Sequence, residues 1–280
     1  MKLIIILCFL SQFSFAENKL ISSILKIEKI ETVSPLYRIY LSTGEIVKSS
    51  NLKTISELRN HILKNHLLRF QIDNEHRLIS FQYVSEASHF KTIPEISEED
   101  YSPSELTENQ TSDLFKSFRK GARGISQCYN RAHIWVYESK KSFDINSMKV
   151  FLFFTKKFIR EHDYKWWFHV APGAYTKKFS QTYFSVLDPF FASYPLPLSE
   201  WSHLFVPKKN ECPEIDHYSE YEKNQEKESC YVLKTSMYYV QPMDLKVLEE
   251  RNEIKNTWTR LEVKRAYRNG FGIWNPRSIQ

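Results

Sequence analysis

Glycine is scarce in this sequence, with 6 residues among 280, and no internal repeat is found. Together with an aromatic content of 15%, this composition argues against a disordered tail or a repeat array and favours an ordered globular protein. The formal net charge is only +6 and the basic residues are spread out, so nucleic-acid binding is not expected. No cluster of His, Cys, Asp and Glu has the spacing of metal ligands, so neither a metal nor another cofactor is expected.

A long apolar run occurs at the N-terminus, and no second one follows it. Lys2 provides a short basic region, Leu3 to Phe15 an apolar core too short to cross a bilayer, and Ser14-Phe15-Ala16 a cleavage site. This pattern predicts that residues 1–16 are a cleaved signal peptide and that the mature chain begins near Glu17. We therefore expect a secreted or periplasmic protein, with no integral membrane segment after signal removal, in an oxidising compartment.

Cysteine is also rare, and removal of residues 1–16 leaves Cys128, Cys212 and Cys230. Cys212 and Cys230 bracket a very polar segment, Pro213 to Ser229, which has too few apolar side chains to bury itself. A disulfide that closes this loop would stabilise the fold by about 3 kcal/mol. Cys128 is then left over, either to pair with another molecule or to act as a reactive thiol.

The sequence around Cys128 is typical of a helix start. Ser126 is a suitable N-cap, and Ala132, Trp135 and Val136 follow at helical spacing as an apolar stripe. A thiol in the first turn lies near the positive end of the helix dipole, which favours the nucleophilic thiolate. The alternative is that Cys128 is a small buried apolar residue without a chemical role.

The chain divides by composition into an N-terminal part, a linker and a C-terminal part. Residues 17–91 are predicted to form a small α+β domain, with a hairpin around Ser42-Thr43-Gly44 and a helix opened by the capping-box pattern Thr54-Ile55-Ser56-Glu57. Residues 92–113 hold seven acidic residues, no basic ones and two prolines, and they are predicted to be an exposed linker. Residues 114–280 are predicted to form a second, larger domain that also mixes helices and strands, so the fold class is α+β.

The second domain combines strands with a long C-terminal helix. Trp166 to Ala171 and Tyr183 to Asp188 are predicted strands, and a hairpin turn near Lys178-Phe179 would make His169 and Asp188 neighbours on one face. Residues 148–159 are apolar, but strand and helix remain open for them. A helix is predicted over residues 244–268. A free cysteine with a neighbouring His and Asp is the arrangement that nucleophilic acyl transfer requires.

Three segments resemble the protein-glutamine glutaminase family. Cys128-Tyr129-Asn130-Arg131-Ala132-His133 is similar to the family's Cys-Tyr-x-Arg-Ala-His nucleophile segment. Trp167-Phe168-His169-Val170-Ala171 resembles Trp-x-Tyr-His-Val-Ala, with Phe168 in place of the tyrosine. Leu187-Asp188-Pro189-Phe190-Phe191, followed by Trp201, resembles Ile-Asp-Pro-Ser-Leu-Phe and its downstream tryptophan.

The resemblance implies a papain/transglutaminase-like catalytic core with Cys128 as nucleophile, His169 as base and Asp188 as orienting acid. It implies deamidation of exposed glutamine side chains in proteins or peptides, without a cofactor. It also implies that the N-terminal domain is an inhibitory pro-region, although a permanent targeting or docking domain remains an alternative. Because thioester chemistry is shared, a transglutaminase, a papain-like protease and a catalytically silent binding module of the same fold remain open. His133 is expected to be a helix residue satisfied by hydrogen bonds and not a catalytic group, and Trp201 is expected to be a core or pocket-wall residue and not a substrate contact.

Overall fold

The computed structural model describes residues 23–25, 27–41, 44–63, 68–73, 75–83, 92–94, 101–122, 127–251 and 257–272. The predicted signal peptide at residues 1–16 and the proposed N-cap Ser126 lie outside these ranges. Mixed helices and sheets make up the described part, which confirms the α+β class.

Residues 23–83 form a small unit of antiparallel strands and one helix. In chain order these are β1 Ser23–Leu25, β2 Ile27–Val33, β3 Leu36–Leu41, β4 Ile46–Ser49, α1 Leu52–Leu63, β5 Leu68–Ile72 and β6 Leu78–Tyr83. Strands β2, β3 and β4 form one sheet, and β1, β5 and β6 form another. Alternate residues of β5 are buried, and α1 buries Ile55 and Leu58, as the period of a strand and of a helix requires. We call residues 23–83 the N-terminal unit.

The C-terminal part is built on a larger sheet. Its elements are β7 Thr92–Pro94, β8 Glu105–Thr107, α2 Glu108–Ser117, α3 Cys128–Phe143, β9 Met148–Phe154, α4 Lys156–Glu161, β10 Phe168–Lys178, β11 Gln181–Val186, β12 Leu196–Pro197, α5 Leu198–Ser202, β13 Glu214–Ile215, β14 Cys230–Thr235, α6 Pro242–Arg251, β15 Thr257–Thr259 and α7 Arg260–Phe271. The strand order is β12-β11-β10-β9-β14-β13, and β8 pairs in parallel with the far half of β10. No helix in the described residues is long and apolar enough to cross a membrane.

Helix α3 lies within the protein interior. Nearly every residue from Cys128 to Tyr137 is buried, because α3 packs against β10 on one side and α7 on another. A helix enclosed in this way needs apolar or hydrogen-bonded side chains all round, not only along one stripe. Its N-cap position is Gln127, with extended backbone and no capping bond from its own side chain. The N-cap position expected at Ser126 is therefore occupied by Gln127.

The main apolar core extends across both parts of the chain. Its buried members include the aromatic side chains of β9, Cys128 at the start of α3, and Trp201. Tyr40 and Ile46 of the N-terminal unit belong to the same cluster. The two parts therefore share one core and are not held together by surface contacts alone.

Several element boundaries differ from the sequence expectations. Residues 148–159 divide into β9 and α4, which resolves the open choice between strand and helix. The single helix predicted over residues 244–268 is instead α6 and α7, with strand β15 between them. Trp258 of β15 is fully buried, so packing of that tryptophan interrupts the predicted continuous helix.

The predicted linker at residues 92–113 contains strand β7, strand β8 and the first turns of α2. Leu106 of β8 is buried and pairs beside β10, while Thr107 caps α2 in a reciprocal capping box with Gln110. Leu114 and Phe115 then bury the inner face of that helix. A linker without regular structure is therefore wrong for residues 92–94 and 105–113, although many of the side chains in 105–113 are exposed. The division into domains stays a prediction.

The predicted disulfide between Cys212 and Cys230 is present, and Cys128 is a free, buried cysteine. The bond joins the start of β14 to the segment 18 positions earlier in the sequence. It therefore closes the polar loop against one of the central strands of the sheet.

We expect reduction of this disulfide to lower the free energy of unfolding by about 3 kcal/mol, because the unfolded chain regains the freedom of a closed loop. Urea unfolding with and without dithiothreitol measures this difference. A Cys128→Ala variant, which keeps the disulfide, should show the same loss on reduction. Equal urea midpoints in both conditions would contradict the expectation.

Candidate active site

Cys128 occupies the first position of α3, and its side chain is only 4% exposed. The first N–H groups of a helix have no partner within the helix, and they carry its positive end. Residue Gln127, just before the helix, accepts a hydrogen bond from the Tyr129 hydroxyl at 2.6 Å. The nucleophile candidate is therefore held on an element that the surrounding core keeps rigid.

His169 and Asp188 are brought together by the β10–β11 hairpin. The hairpin turns after Lys178, where Phe179 adopts a positive φ of 54° that the predicted turn sequence gave little reason to expect. The Leu187 amide donates to the Pro172 carbonyl at 2.8 Å, so Asp188 lies one residue further, diagonally across from His169. The two side chains meet with His169 Nε2 2.8 Å from Asp188 Oδ2.

Asp188 is 1% exposed and is surrounded by donors. Besides His169, Trp201 Nε1 donates to Oδ2 at 3.1 Å, and the Phe190 amide donates to Oδ1 at 3.3 Å. A buried carboxylate needs such partners, since burial without them is costly. Trp201 is fully buried and forms part of the core, as expected, but its hydrogen bond to the carboxylate was not foreseen.

The pKa values of His169 and Asp188 are shifted by their contacts in the site. Burial alone would lower the pKa of His169, but the charge of Cys128 and the hydrogen bond to Asp188 outweigh it and raise this pKa to about 9. Burial likewise opposes ionisation of Asp188, yet its contacts with His169 and Trp201 hold its pKa below the usual value. The surroundings therefore favour an imidazolium at His169, hydrogen-bonded to the carboxylate of Asp188.

A cavity of about 370 Å³ opens onto Cys128 and His169. Most of its wall is aromatic, and the residues that line it besides these two are Arg131, Phe154, Asp163, Tyr164, Lys165, Trp166, Phe190, Phe191 and Phe205. Every lining residue of the described chain lies between 128 and 205, so the N-terminal unit borders the cavity without forming its wall. The space is sufficient for an amide side chain to approach the thiol.

Arg131 is a site residue that sequence reasoning placed only in a motif. It lies three positions after Cys128, so helical periodicity could have put both on one face. Its guanidinium covers the Phe190 ring at 3.9 Å, and the burial that lowers its pKa is opposed by the charges of Cys128 and Asp188. Arg131 therefore adds a positive charge close to Cys128 and Asp188.

His133 has a different environment from His169. Lys149 Nζ lies 2.8 Å from His133 Nδ1 and also donates to the Tyr239 carbonyl at 2.5 Å. The contact ties α3 to β9 beneath the sheet, in agreement with the expected structural role. His133 is not among the residues that line the cavity.

The turn between β3 and β4 reaches the edge of the site. Gly44 O accepts from the Trp167 amide at 2.7 Å, and the Ile46 amide donates to Lys165 O at 2.9 Å. Gly44 has φ of 88°, and a Cβ there would lie 2.9 Å from the Phe168 ring, so glycine permits this close approach. Gln127 Nε2 donates to the Glu45 carboxylate at 3.1 Å, next to the nucleophile.

The described residues contain no group of three or more His, Cys, Asp or Glu side chains that could hold a metal ion. The chemical groups that the site does bring together are a thiol, an imidazole and a carboxylate. All three residues predicted from the sequence are thus neighbours in space, while their catalytic roles remain a prediction.

The model of a protein family described as Glutaminase matches residues 115–205. This segment contains Cys128, His169 and Asp188, and it ends just after Trp201. No curated protein matches the chain.

Solved structures of protein-glutaminases are similar to this chain at low identity. Pro-protein-glutaminase matches with 13% identity over 79% of this chain and 84% of that chain, at a TM-score of 0.48. Its A47Q2 mutant matches with 14% identity over 80% and 85%, also at 0.48. The protein-glutaminase of Chryseobacterium proteolyticum matches with 17% identity over 49% and 76%, at a TM-score of 0.34.

The imidazole of His169 should titrate near pH 9 in the folded protein, which NMR of the ring protons measures. Because this pKa lies above the unfolded value of 6.5, His169 adds stability that is complete below pH 6.5 and is lost as the pH rises through about 9. Asp188→Asn removes a negative charge and should move the titration to lower pH.

Asp163→Asn is the matched control for this titration. Asp163 lines the same cavity but pairs with Lys48 at 2.9 Å, so its neutralisation should leave the His169 midpoint nearly unchanged. An equal shift in both variants would mean that net charge in the cavity, and not the direct hydrogen bond, sets the pKa of His169.

Proposed function

We propose that this protein deamidates protein-bound glutamine through a thioester on Cys128. Its residues 115–205 match the model of a glutaminase family, and this match supports a hydrolase that acts on amide bonds. Glutamine deamidation is the general reaction that the assignment supports. The observation that carries the finer proposal is the single cavity that exposes Cys128 beside a His169 hydrogen-bonded to the buried Asp188. In this proposal Cys128 is the nucleophile, His169 carries the proton and Asp188 orients the imidazole.

The proposed reaction has two halves. The Cys128 thiolate attacks the carboxamide carbon, and backbone N–H groups at the start of α3 stabilise the oxyanion. Collapse of this intermediate breaks the C–N bond, and the imidazolium of His169 gives its proton to the departing ammonia. Water then attacks the thioester while His169 accepts its proton, which releases glutamate and restores the Cys128 thiolate and the His169 imidazolium.

Asp188 acts through His169 in this scheme. Its carboxylate holds Nε2, which leaves Nδ1 of the ring for the sulfur and the substrate. Trp201 donates to the same oxygen as His169, and the Phe190 amide donates to the other oxygen, so both ends of the carboxylate are held. The papain/transglutaminase-like core remains part of this proposal, as does the assignment of the three catalytic roles.

Cys128→Ala should abolish ammonia release from a glutamine-bearing protein while the free energy of unfolding stays near that of the wild type. The small change in stability follows from the size of the thiol, and the loss of activity from the absence of a nucleophile. The measurement is ammonia release together with intact mass, since each deamidation adds about one dalton by exchange of amide for acid. Near-normal ammonia release by this variant would exclude the mechanism.

The product separates deamidation from its nearest alternatives. Crosslinked substrate would indicate a transglutaminase, and new chain termini a protease. His169→Ala should cost at least as much activity as Asp188→Asn, because the acid only orients the imidazole. Asp163→Asn serves again as control and should retain most of the activity.

We also propose that residues 17–91 restrain the enzyme as an inhibitory pro-region. The support is positional: the β3–β4 turn occupies the main-chain groups of Lys165 and Trp167 at the edge of the cavity, and Glu31 pairs with Lys156 at 2.7 Å. A tethered unit has a high effective concentration, so a modest interface is sufficient. Since the unit does not line the cavity, it should hinder a long polypeptide more than a small peptide.

Cleavage between Pro94 and Tyr101 tests this restraint, with a protease recognition sequence inserted there. Activity on a denatured glutamine-rich protein should rise strongly after cutting and separation, and activity on a tripeptide should rise less. Cut but unseparated protein is the control for the insertion itself. Equal activity of intact and separated forms on both substrates would contradict inhibition, and a loss would favour a permanent docking domain.

A point substitution provides an independent test of the same restraint. Lys156→Met removes the ion pair with Glu31 and should raise the activity of the intact chain on the long substrate. Lys157→Met is the matched control. The side chain of Lys157 donates to the Glu226 carbonyl, which belongs to the C-terminal part and not to the N-terminal unit. The two variants should therefore differ.

Secretion or export to the periplasm is proposed from the signal-like residues 1–16. A Cys212–Cys230 disulfide is compatible with an oxidising compartment. N-terminal sequencing of the exported protein should begin at Glu17, and an exported protein that begins at Met1 would refute signal cleavage.

A further inference from the structure

Exposed aromatic side chains concentrate directly after Asp188. Phe190 is 42% exposed, Phe191 47% and Tyr194 61%, and Leu204 is 47% exposed a few residues later. Large apolar side chains left in contact with water and grouped together commonly mark a binding surface. We call Phe190, Phe191 and Phe205 the aromatic rim, since all three also line the cavity.

The aromatic rim leads from solvent to the catalytic imidazole. The ring of Phe190 lies 5.2 Å from that of Phe191, and Phe191 lies 5.0 Å from Phe205. Phe191 and Phe205 in turn contact the His169 ring at 5.1 and 4.6 Å. An apolar group that enters along these rings therefore comes to rest beside the reacting atoms.

The rim is held in place before any substrate binds. The Phe191 and Ala192 amides donate to the Asp188 carbonyl at 3.1 and 2.9 Å, which fixes the turn that carries Phe190 and Phe191. Arg131 covers one face of Phe190 at 3.9 Å. Because these contacts already fix the rings, binding to them costs little ordering of the protein.

The position of the rim determines what can reach it. When the side-chain amide of a substrate glutamine contacts Cys128, the Cα of the next residue lies only about 3.8 Å from the Cα of that glutamine. The neighbouring residue therefore lies over the mouth of the cavity. The exposed charged residues of the cavity, Asp163 and Lys165, have opposite signs and do not select an acidic or a basic neighbour. An apolar side chain is the one that the rim complements.

We infer that the aromatic rim is a subsite for a large apolar residue adjacent to the target glutamine. The inference rests on the proposed deamidation, and it defines the substrate class as glutamines flanked by Phe, Leu or Met. Phe191 is its specificity-determining residue, because its ring contacts both the other rim residues and His169.

Tripeptides with capped ends test the subsite on the intact chain. We expect kcat/KM for Phe-Gln-Gly or Gly-Gln-Phe to exceed that for Gly-Gln-Gly by about tenfold, the usual scale of discrimination by an apolar pocket. Phe191→Ala should reduce this ratio to threefold or less. Phe179→Ala, whose ring is 89% exposed at the β10–β11 turn, is the matched control and should keep the ratio.

Alkylation of Cys128 tests the same surface without deamidation. N-benzyl iodoacetamide should label Cys128 about tenfold faster than iodoacetamide, and Phe191→Ala should remove the difference. If no peptide is deamidated, the proposed function fails and this ratio alone decides the subsite. Equal labelling rates would then overturn it.

An active enzyme with equal kcat/KM for Phe and Gly neighbours would overturn the subsite while leaving deamidation intact. A dimer that Phe191→Ala dissociates, with an unchanged peptide preference, would assign the rim to a second copy of the chain and also overturn it. Sedimentation of the wild type and of the two phenylalanine variants distinguishes that case.

Discussion

A buried carboxylate must be satisfied inside the protein, and Asp188 imposes that requirement on the whole site. Burial of an unpaired charge costs several kcal/mol, so the donors from β10, from the turn after β11 and from Trp201 of α5 have to converge. Their convergence fixes the imidazole and the turn that displays the aromatic rim. The orientation of the His169 imidazole and the position of the rim are thus consequences of one buried charge.

The parts of the site that could be predicted are those encoded locally. The Cys128 segment and the two strands with His169 and Asp188 carry their information within a few residues each, and strand alternation placed His169 and Asp188 on one face. The Trp201 hydrogen bond and the stacking of Arg131 on Phe190 could not be predicted. They depend on distances between elements that are far apart in the sequence.

The fold shows the same division between local and distant information. The acidic composition of residues 92–113 predicted a linker, although Thr107 and Gln110 carried a capping-box signal that marks a helix start. The break in the predicted C-terminal helix has a distant cause. Residues Thr257 to Thr259 form β15 because they pair with β7, and the local sequence contains no signal for that pairing. Gln127 takes the N-cap position of α3 while its side chain bonds to Glu45 and Tyr129 instead.

Tyr40 and Ile46 precede every other member of the core cluster that contains Cys128. During synthesis the N-terminal unit emerges first, and the later strands complete their core on a surface that is already folded. If the N-terminal unit is later removed by cleavage, the remaining protein has a core that formed around Tyr40 and Ile46 but no longer contains them. If the remaining part cannot refold alone, its lifetime is governed by the rate of unfolding and not by equilibrium stability, and refolding with and without residues 17–91 measures which case holds. Packing that formed with the N-terminal unit would in this way persist after that unit has been removed.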